Sequence, residues 1–337
     1  VRGLVDVVDL DEAAFAGDVV RKGFQVRRVA DGDDDRVCRQ DAAVGQDHSL
    51  GRDFLGEAGP QELRAGFFRF LFPKINHRTI MATRQFHAPE ILDIQVLKQL
   101  HDPAYVDAFN TGTPQKLAVF SGFKPWTEQL RDAVLHINAG QLLAAELAMQ
   151  KGIAANMAQG FHHAVYEYGG SFCTFNGLAL VAQQFPQKKI FVLDCDQHGG
   201  NGTAEFTRRL DNLFNFSIYG LPFGCPTYAR AQTRHIHKDR GNFAQYTLAV
   251  HEGLQQARDW GADLVIYQAG MDCHQADPFG SSWFSAELIQ KREEMVFNLA
   301  KRHQLPLMFV LAGGYQPLDN LVKLHLLTFQ AALKTYF

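Results

Sequence analysis

Residues 190–198 read Ile-Phe-Val-Leu-Asp-Cys-Asp-Gln-His, a short apolar run that passes directly into polar and reactive side chains. An apolar run of this length, bounded by polar residues, predicts a buried strand. In sheets of parallel strands, ligands bind in the crevice beyond the carboxyl ends of the strands. The segment Asp194–His198 is therefore predicted to lie at a functional site, at the end of such a strand.

The same arrangement of an apolar run followed by chemically capable residues occurs four more times. The further segments are Ile153–Met157 before His162 and His163, Leu213–Phe216 before Ser217, Leu264–Ala269 before Asp272, and Leu307–Ala312 before Gly313, Gly314 and Tyr315. The predicted helices are Ile91–Leu100, Pro103–Phe109, Thr127–Lys151, Gly177–Gln184, Tyr246–Trp260, Phe284–His303 and Pro317–Tyr336. Alternating strands and helices predict an α/β domain with three layers, α/β/α, around a central, mostly parallel sheet.

The bulk composition is that of a globular protein with a large core. Of the 337 residues, 46% are hydrophobic, and the formal net charge is −3. The sequence has no long basic stretch, which argues against direct nucleic-acid binding, and no apolar run long enough to span a membrane. Five cysteines without zinc-knuckle spacing, and no visible signal peptide, predict reduced thiols in a cytoplasmic protein.

Composition also changes along the chain near residues 65–85, and after Phe86 it is that of an ordinary globular protein. The first 60 residues contain no Ile, Met, Trp, Tyr, Asn or Thr, and residues 31–35 form an Asp-rich run. Residues 1–85 are therefore predicted to be an atypical stretch, either a poorly ordered extension or a non-native one that arose from GC-rich DNA read in the wrong frame. A non-native stretch here would remove one edge of the sheet and part of the pocket rim.

Asp196, His198 and Asp272 are the candidate metal ligands. Alternate residues leaving a strand point in the same direction, so Asp196 and His198 can face one ion, and Asp272 follows a second strand. Two carboxylate oxygens and one imidazole nitrogen suit zinc and leave a position open for water, and Fe²⁺ accepts similar ligands. A hydrogen-bonded polar turn would explain an isolated Asp-x-His, but Asp272 and the uncrowded Gly199-Gly200 pair favour the metal site.

His162 and His163 are candidates for a general base and a proton shuttle beside that metal site. Adjacent histidines alone are more often surface or structural residues, so this assignment depends on the neighbouring ligands. Asn201 and Asp194 could hold the second ring nitrogens and set the tautomers. Asn201 would orient a ring without adding charge, whereas Asp194 would also raise its basicity.

Gly313, Gly314 and Tyr315 follow the last predicted strand. The glycines permit a sharp turn and close backbone approach, and Tyr315 could donate its hydroxyl proton to a developing oxyanion. A core tyrosine at a loop corner is the alternative interpretation. Gly170 and Phe172 belong to a segment that could form a pocket wall for an alkyl chain, although ordinary core packing explains it equally well.

Together these residues resemble the zinc-dependent histone deacetylase family of the arginase-deacetylase fold, in its class IV and bacterial branch. The resemblance covers residues 86–336 and implies that residues 86–337 form a deacetylase-like catalytic domain. The matching strings are His101–Val106, Pro125-Trp126, Ala158–Ala164, Gly170–Asn176, Asp194–Gly202, Tyr267–Asp272, Asp277–Gly280 and Gly313–Tyr315.

The resemblance implies a role for each candidate. One zinc ion per chain would be held by Asp196, His198 and Asp272. The implied catalytic group comprises His163 as general base and acid, paired with Asn201; His162 as an electrostatic helper, paired with Asp194; and Tyr315 at the oxyanion. The implied substrate contacts are Gly170, Phe172 and Gly314, with a second aromatic wall from Pro222–Tyr228. A structural potassium ion would use Asp194, Ser217 and main-chain oxygens of Asp196, His198 and Ile218.

The activity implied is removal of an acetyl group from acetyl-lysine, in a protein or peptide, by water that zinc activates. One alternative substrate is an acetylpolyamine or another small acetylated amine, because no rim aspartate that could grip a peptide backbone is evident. A binuclear ureohydrolase is disfavoured, because Gly200 stands where that chemistry needs a carboxylate. A non-catalytic acyl-lysine-binding protein with a damaged N-terminus is the alternative from another class. The sequence does not indicate an oligomeric state.

Overall fold

The computed structural model describes residues 7–9, 86–221 and 225–337, which contain eight strands and nine helices. The strands are β1 Val7–Asp9, β2 Phe86–His87, β3 Ile153–Gln159, β4 Ile190–Asp194, β5 Leu213–Tyr219, β6 Ala231–His235, β7 Leu264–Ala269 and β8 Leu307–Leu311. The helices are α1 Ile94–Leu97, α2 Pro103–Thr111, α3 Gln115–Ala118, α4 Glu128–Lys151, α5 Gly177–Gln184, α6 Asn201–Phe206, α7 Phe243–Trp260, α8 Ala286–Arg302 and α9 Leu318–Tyr336.

All eight strands belong to one sheet, in the order β2-β1-β3-β8-β7-β4-β5-β6. The six strands β3, β8, β7, β4, β5 and β6 run parallel to one another. Strands β1 and β2 are antiparallel and lie at the edge beside β3. The predicted mostly parallel sheet is therefore confirmed. Asp194, the last residue of β4, pairs with Gln268 of β7 and with Ser217 of β5, so the polar ends of three strands meet.

Helices cover both faces of this sheet and confirm the three-layer arrangement. Phe191 and Leu193 of β4 face a core shared with α7, α8 and α9, whereas Ile190 and Val192 face a core shared with α1, α2, α4 and α5. Strands buried on both faces must be apolar at nearly every position. The continuous apolar runs in the sequence reflect this burial.

Capping side chains explain where the helix boundaries differ from the prediction. Helix α1 begins only after Asp93, whose Oδ1 accepts a hydrogen bond from the backbone N–H of Gln95, so the predicted Ile91–Leu100 was too long. Helix α7 begins three residues earlier than predicted, because Asn242 and Gln245 form a reciprocal capping box. Helix α8 begins after Ser285, which caps it.

Some elements were not predicted from the sequence. Strand β6 reads Ala-Gln-Thr-Arg-His and lacks an apolar run, because it lies at the edge of the sheet. The short helices α3 and α6 also lack a clear periodic signal. Strands β3 and β5 extend beyond the predicted Met157 and Phe216, to Gln159 and Tyr219.

The atypical N-terminal stretch is described only at Val7–Asp9, and the rest of residues 1–85 lies outside the described residues. These three residues form β1, which lies between β2 and β3 on the side of the sheet where the sequence analysis expects a loss if the stretch is non-native. Whether residues 1–85 are native stays a prediction. In the described part of the chain, no helix combines the length and apolar character needed to cross a membrane.

Candidate metal centre

The three candidate ligands meet just beyond the carboxyl ends of β4 and β7. The Nδ1 atom of His198 lies 2.8 Å from Asp272 Oδ2 and 3.2 Å from Asp196 Oδ1. One ligand atom from each residue falls within 4.8 Å of the others. Both carboxylates are buried and His198 is partly buried. The structure thus brings Asp196, His198 and Asp272 together, as a single metal ion would require.

Backbone groups hold the remaining carboxylate oxygens in place. The N–H of Gly313 donates to Asp196 Oδ2 at 2.8 Å, and the N–H of Gln197 donates to Asp272 Oδ1 at 3.0 Å. A Cβ at Gly313 would lie 2.6 Å from Asp272 Oδ2 and closer still to Asp196 Oδ2. Glycine at position 313 therefore allows the backbone to reach both acids.

The donor set fits a divalent cation. Two buried carboxylates that face one imidazole are costly to keep charged without a cation between them. Two oxygens and one nitrogen, with room for water, are the ligands of a catalytic zinc site, and ferrous iron uses a similar set. The identity of the metal stays a prediction.

Protons occupy this cluster when no metal is bound. Burial, and next the charge of Asp196, raise the pKa of Asp272 to about 7. Burial lowers the pKa of His198, but hydrogen bonds to Asp196 and Asp272 outweigh it and raise this pKa to about 10. Burial also acts to raise the pKa of Asp196, yet the nearby His162 and His198 hold it well below its usual value.

We expect divalent-metal affinity to rise with pH between pH 6 and 8, because the metal must displace the proton on His198 and, below about pH 7, that on Asp272. Each displaced proton contributes about a tenfold change in affinity per pH unit. Calorimetric titration with Zn²⁺ in two buffers of different ionisation enthalpy would count the protons released. An affinity that does not depend on pH would contradict this expectation.

The two histidines lie beside the metal cluster and have different partners. His162 Nδ1 is 2.7 Å from Asp194 Oδ2, and His163 Nδ1 is 2.6 Å from Asn201 Oδ1. These are the pairings that the resemblance implied. The two rings are stacked at an angle, with centroids 3.9 Å apart.

The different partners separate the pKa values of the two histidines. Burial lowers the pKa of His162, but the charges of Asp194 and Asp196 outweigh burial and raise it above its usual value. Burial, and next the positive charge of His162, place the pKa of His163 well below its usual value. Two neighbouring titratable groups with pKa values pushed apart are typical of an acid and base assignment. His163 is neutral near pH 7 and can accept a proton.

Asn176 fixes the backbone of this histidine pair, a role that the sequence did not reveal. Its Nδ2 donates to the carbonyl oxygens of His162 at 3.4 Å and Ala164 at 3.1 Å, and its Oδ1 caps helix α5. The N–H of Thr203 also donates to the His162 carbonyl, at 3.0 Å. The rings are thus carried on a segment held from two sides.

Tyr315 lies beside the metal cluster, next to His198. Its ring stands edge-on to His198, with centroids 6.0 Å apart. Burial and the charges of Asp196 and Asp272 raise its pKa well above the usual value, so the hydroxyl keeps its proton at neutral pH. A protonated phenol in this position is a suitable hydrogen-bond donor to a developing oxyanion.

Asp277 positions Tyr315, a role that was not predicted from the sequence, where Asp277 appeared only in a matching string. Its Oδ2 accepts a hydrogen bond from the Tyr315 N–H at 2.8 Å. Its Oδ1 accepts from the N–H groups of Phe279 at 3.0 Å and Gly280 at 2.9 Å. The Asp-Pro-x-Gly turn was the available signal. One buried carboxylate therefore joins the turn after β7 to the turn after β8.

The predicted pocket wall at Phe172 is held in an unusual backbone conformation. Ser171 and Phe172 have φ angles of 48° and 62°, in the left-handed region that residues other than glycine rarely adopt. The Phe172 N–H donates to the Ser121 carbonyl at 2.7 Å, and its ring packs against Phe123. The backbone around Gly170 is closed by two hydrogen bonds with Cys173. Cross-loop contacts thus hold Phe172 in place.

The remaining predicted substrate contacts are Gly314 and the second aromatic wall, and the structure describes only part of them. Leu321 of α9 occupies the space where a Cβ on residue 314 would lie, so glycine is required there, and it can contact a ligand only through its main chain. Within the predicted second wall, residues 222–224 lie outside the described residues. Phe279 packs edge-on to Tyr315 at 5.0 Å and provides an aromatic surface that the sequence analysis did not assign.

The predicted potassium ligands lie together at the ends of β4 and β5. Asp194 and Ser217 are register partners, and Asp194 Oδ1 accepts the Asp196 N–H at 3.0 Å. The Ser217 hydroxyl accepts the N–H of Gly200 at 3.1 Å. Binding of potassium by these residues, with the main-chain oxygens of Asp196, His198 and Ile218, stays a prediction.

The family model for the histone deacetylase domain matches residues 69–331, so the match begins within the atypical stretch of residues 1–85. The chain belongs to the histone deacetylase domain family. This membership confirms the resemblance and the prediction of a deacetylase hydrolase.

Relatives of the chain have more than one named activity. An uncharacterised protein of Picosynechococcus is 29% identical over 80% of this chain and 92% of its own length. Histone deacetylase 2 of Arabidopsis thaliana is 32% identical over 52% of this chain. Acetylpolyamine amidohydrolase 2 of Pseudomonas aeruginosa is 30% identical over 46%. The alignments cover 48% of each of these two named relatives, about half of their length.

The fold is shared with a solved structure. The acetylpolyamine aminohydrolase of Burkholderia pseudomallei superimposes with a TM-score of 0.59 at 19% identity, over 73% of this chain and 84% of that one. This similarity confirms the predicted arginase-deacetylase fold.

Proposed function

We propose that the chain is a zinc-dependent deacetylase that hydrolyses the acetyl amide of an acetylated lysine side chain. The observation that carries the proposal is the joint placement of the Asp196, His198 and Asp272 cluster with a histidine pair of separated pKa values. Fe²⁺ is the alternative metal, since the same donor set accepts it.

Each residue of the pocket has a distinct part in this chemistry. Asp196, His198 and Asp272 would hold a divalent metal, which would supply Lewis-acid polarisation of the carbonyl and a lowered pKa of water. Neutral His163 accepts the proton of the attacking water and later delivers it to the leaving amine nitrogen. Charged His162, fixed by Asp194, stabilises the negative charge that develops.

Tyr315 and Phe172 contact different parts of the substrate. The Tyr315 hydroxyl donates a hydrogen bond to the carbonyl oxygen as that oxygen gains negative charge. The Phe172 ring offers an apolar wall to the alkyl chain that carries the amide. Asp277 holds the Tyr315 backbone, so the hydroxyl is placed before the reaction begins.

A small acetylated amine, such as an acetylpolyamine, is the second candidate substrate. The similarity to an acetylpolyamine amidohydrolase, 30% identical over 46% of this chain against 32% over 52% for the histone deacetylase, favours it. Both substrates present an acetyl amide on an alkyl chain, so the catalytic residues would be the same. The difference would lie at the pocket mouth.

Turnover by the zinc-reconstituted chain would test the proposal, with a fluorogenic acetyl-lysine peptide and an acetylpolyamine compared at equal concentration. We expect the peptide to be hydrolysed faster. Asp272→Ala should abolish both metal binding and turnover, because it removes a ligand. Asp211→Ala changes an exposed side chain outside the site and should alter neither.

Three other outcomes would change the assignment. Faster hydrolysis of the acetylpolyamine would assign the small-amine substrate. Tight binding of a hydroxamate without any turnover would indicate the non-catalytic acyl-lysine-binding protein. Full turnover by Asp272→Ala would refute the proposed metal centre.

A further inference from the structure

A buried ion pair lies in the core behind the metal centre. Arg292 and Glu293 of α8 are both fully buried, and Arg292 Nη2 lies 2.6 Å from Glu293 Oε1. The Arg292 Nε–H and the Tyr267 hydroxyl donate to the same oxygen, at 2.8 and 2.9 Å. A buried pair of charges adds little stability over apolar side chains of the same volume. Core packing alone therefore does not account for it.

The rest of the guanidinium contacts the segments that carry the two metal-binding carboxylates. Arg292 Nη1 lies 3.3 Å from Cys273 Sγ and 3.5 Å from the carbonyl oxygen of Cys195, and Nη2 lies 3.9 Å from Met271 Sδ. Cys195 immediately precedes Asp196, and Met271 and Cys273 lie on either side of Asp272. One side chain thus touches the neighbours of both acidic ligands from the core.

We infer that Arg292 is a positioning residue of the metal centre, an inference that rests on the proposed function. Its planar fork of donors sets the relative position of the ends of β4 and β7, which a single ammonium group could not do. Glu293 fixes the plane of the fork and balances its charge, so the pair adds no net charge beside the metal. The effect of Arg292 on the metal is therefore geometric.

Metal affinity is the property that this role predicts. Groups that orient metal ligands from outside change affinity about 10–100-fold when they are removed. We expect the double variant Arg292→Met/Glu293→Met to fold, because it leaves no unpaired buried charge. Its affinity for Zn²⁺ should be about 10–100-fold lower. Arg292→Lys keeps a charge beside Glu293 but loses the fork, and it should also weaken binding.

Competition with a chromophoric zinc chelator would measure the dissociation constants, with folding followed by circular dichroism. Val296→Ala is the matched control, because it removes apolar volume from the same core and the same helix without removing a charge or a hydrogen bond. It should leave the dissociation constant unchanged. Equal loss of affinity in this control would reduce Arg292 to a structural residue and overturn the inference.

The outcomes separate this inference from the proposed function. If the unmodified chain binds Zn²⁺ and the folded double or Lys variant binds it equally well, the positioning role is refuted and the proposed function stands. If the unmodified chain has no affinity for Zn²⁺ or Fe²⁺, the proposed function fails and this inference fails with it.

Discussion

Replacing His163 with alanine should lower deacetylation about 10²–10⁴-fold, the usual contribution of a positioned general base. His163 is the one of the two histidines whose pKa is lowered, so it is neutral and able to take a proton at pH 7. It is not among the three clustered ligand residues. Steady-state kinetics together with the metal content of the purified variant would measure both properties.

A matched substitution controls for the loss of a buried imidazole. His136 is buried in α4 and bonds to the carbonyl oxygen of Asp132 one turn earlier, away from the metal cluster. His136→Ala should retain normal turnover. If His163→Ala retained more than about a tenth of the activity, well short of the loss expected for a general base, another group would have to be the base.

Tyr315→Phe should lower turnover about 10²–10³-fold, as the loss of one oxyanion donor does elsewhere. The substitution removes only the hydroxyl, and the Asp277 contact to the Tyr315 backbone is unaffected. We therefore expect the loss in kcat rather than in KM, with zinc affinity unchanged. Rates at saturating and limiting substrate would separate the two parameters.

The corresponding control removes a tyrosine hydroxyl at the C-terminal end of α9. Tyr336 lies at the end of α9, and Tyr336→Phe should leave kcat unchanged. Normal turnover by Tyr315→Phe would assign oxyanion stabilisation to the metal and His162 alone. A parallel loss of zinc affinity would instead indicate that Tyr315 supports the ligands.

The inner strands could be read from the sequence, because burial on both faces demands uninterrupted apolar residues. Strand β6 could not be, since its edge position permits Gln, Thr, Arg and His. Helix starts at α1 and α7 depended on single capping residues, Asp93 and Asn242, whose effect on a boundary is stronger than that of periodicity. Burial on both faces produces a pattern that can be recognised in the sequence, whereas the choice of capping residue is harder to predict from it.

The same distinction applies to the site. Asp196, His198 and Asp272 follow apolar runs, so their meeting point follows from strand topology. Asp277 and Arg292 act through bonds to groups 38 and 97 residues away, at Tyr315 and Cys195. The Asp-Pro-x-Gly turn marks Asp277 locally, but no local pattern indicates which distant group either side chain contacts. The sequence therefore predicted the groups that would meet the metal better than the groups that hold them.

The ligand-bearing strands β4 and β7 are neighbours inside the sheet, with two strands beyond β4 and four beyond β7. Phe172 and Phe279, in contrast, lie on connecting loops. Lengthening a loop costs free energy only as the logarithm of its length, whereas altering a central strand disturbs both cores. Insertions at the mouth of the pocket can therefore diversify the accepted amines through evolution while the hydrolytic machinery beneath them is inherited unchanged.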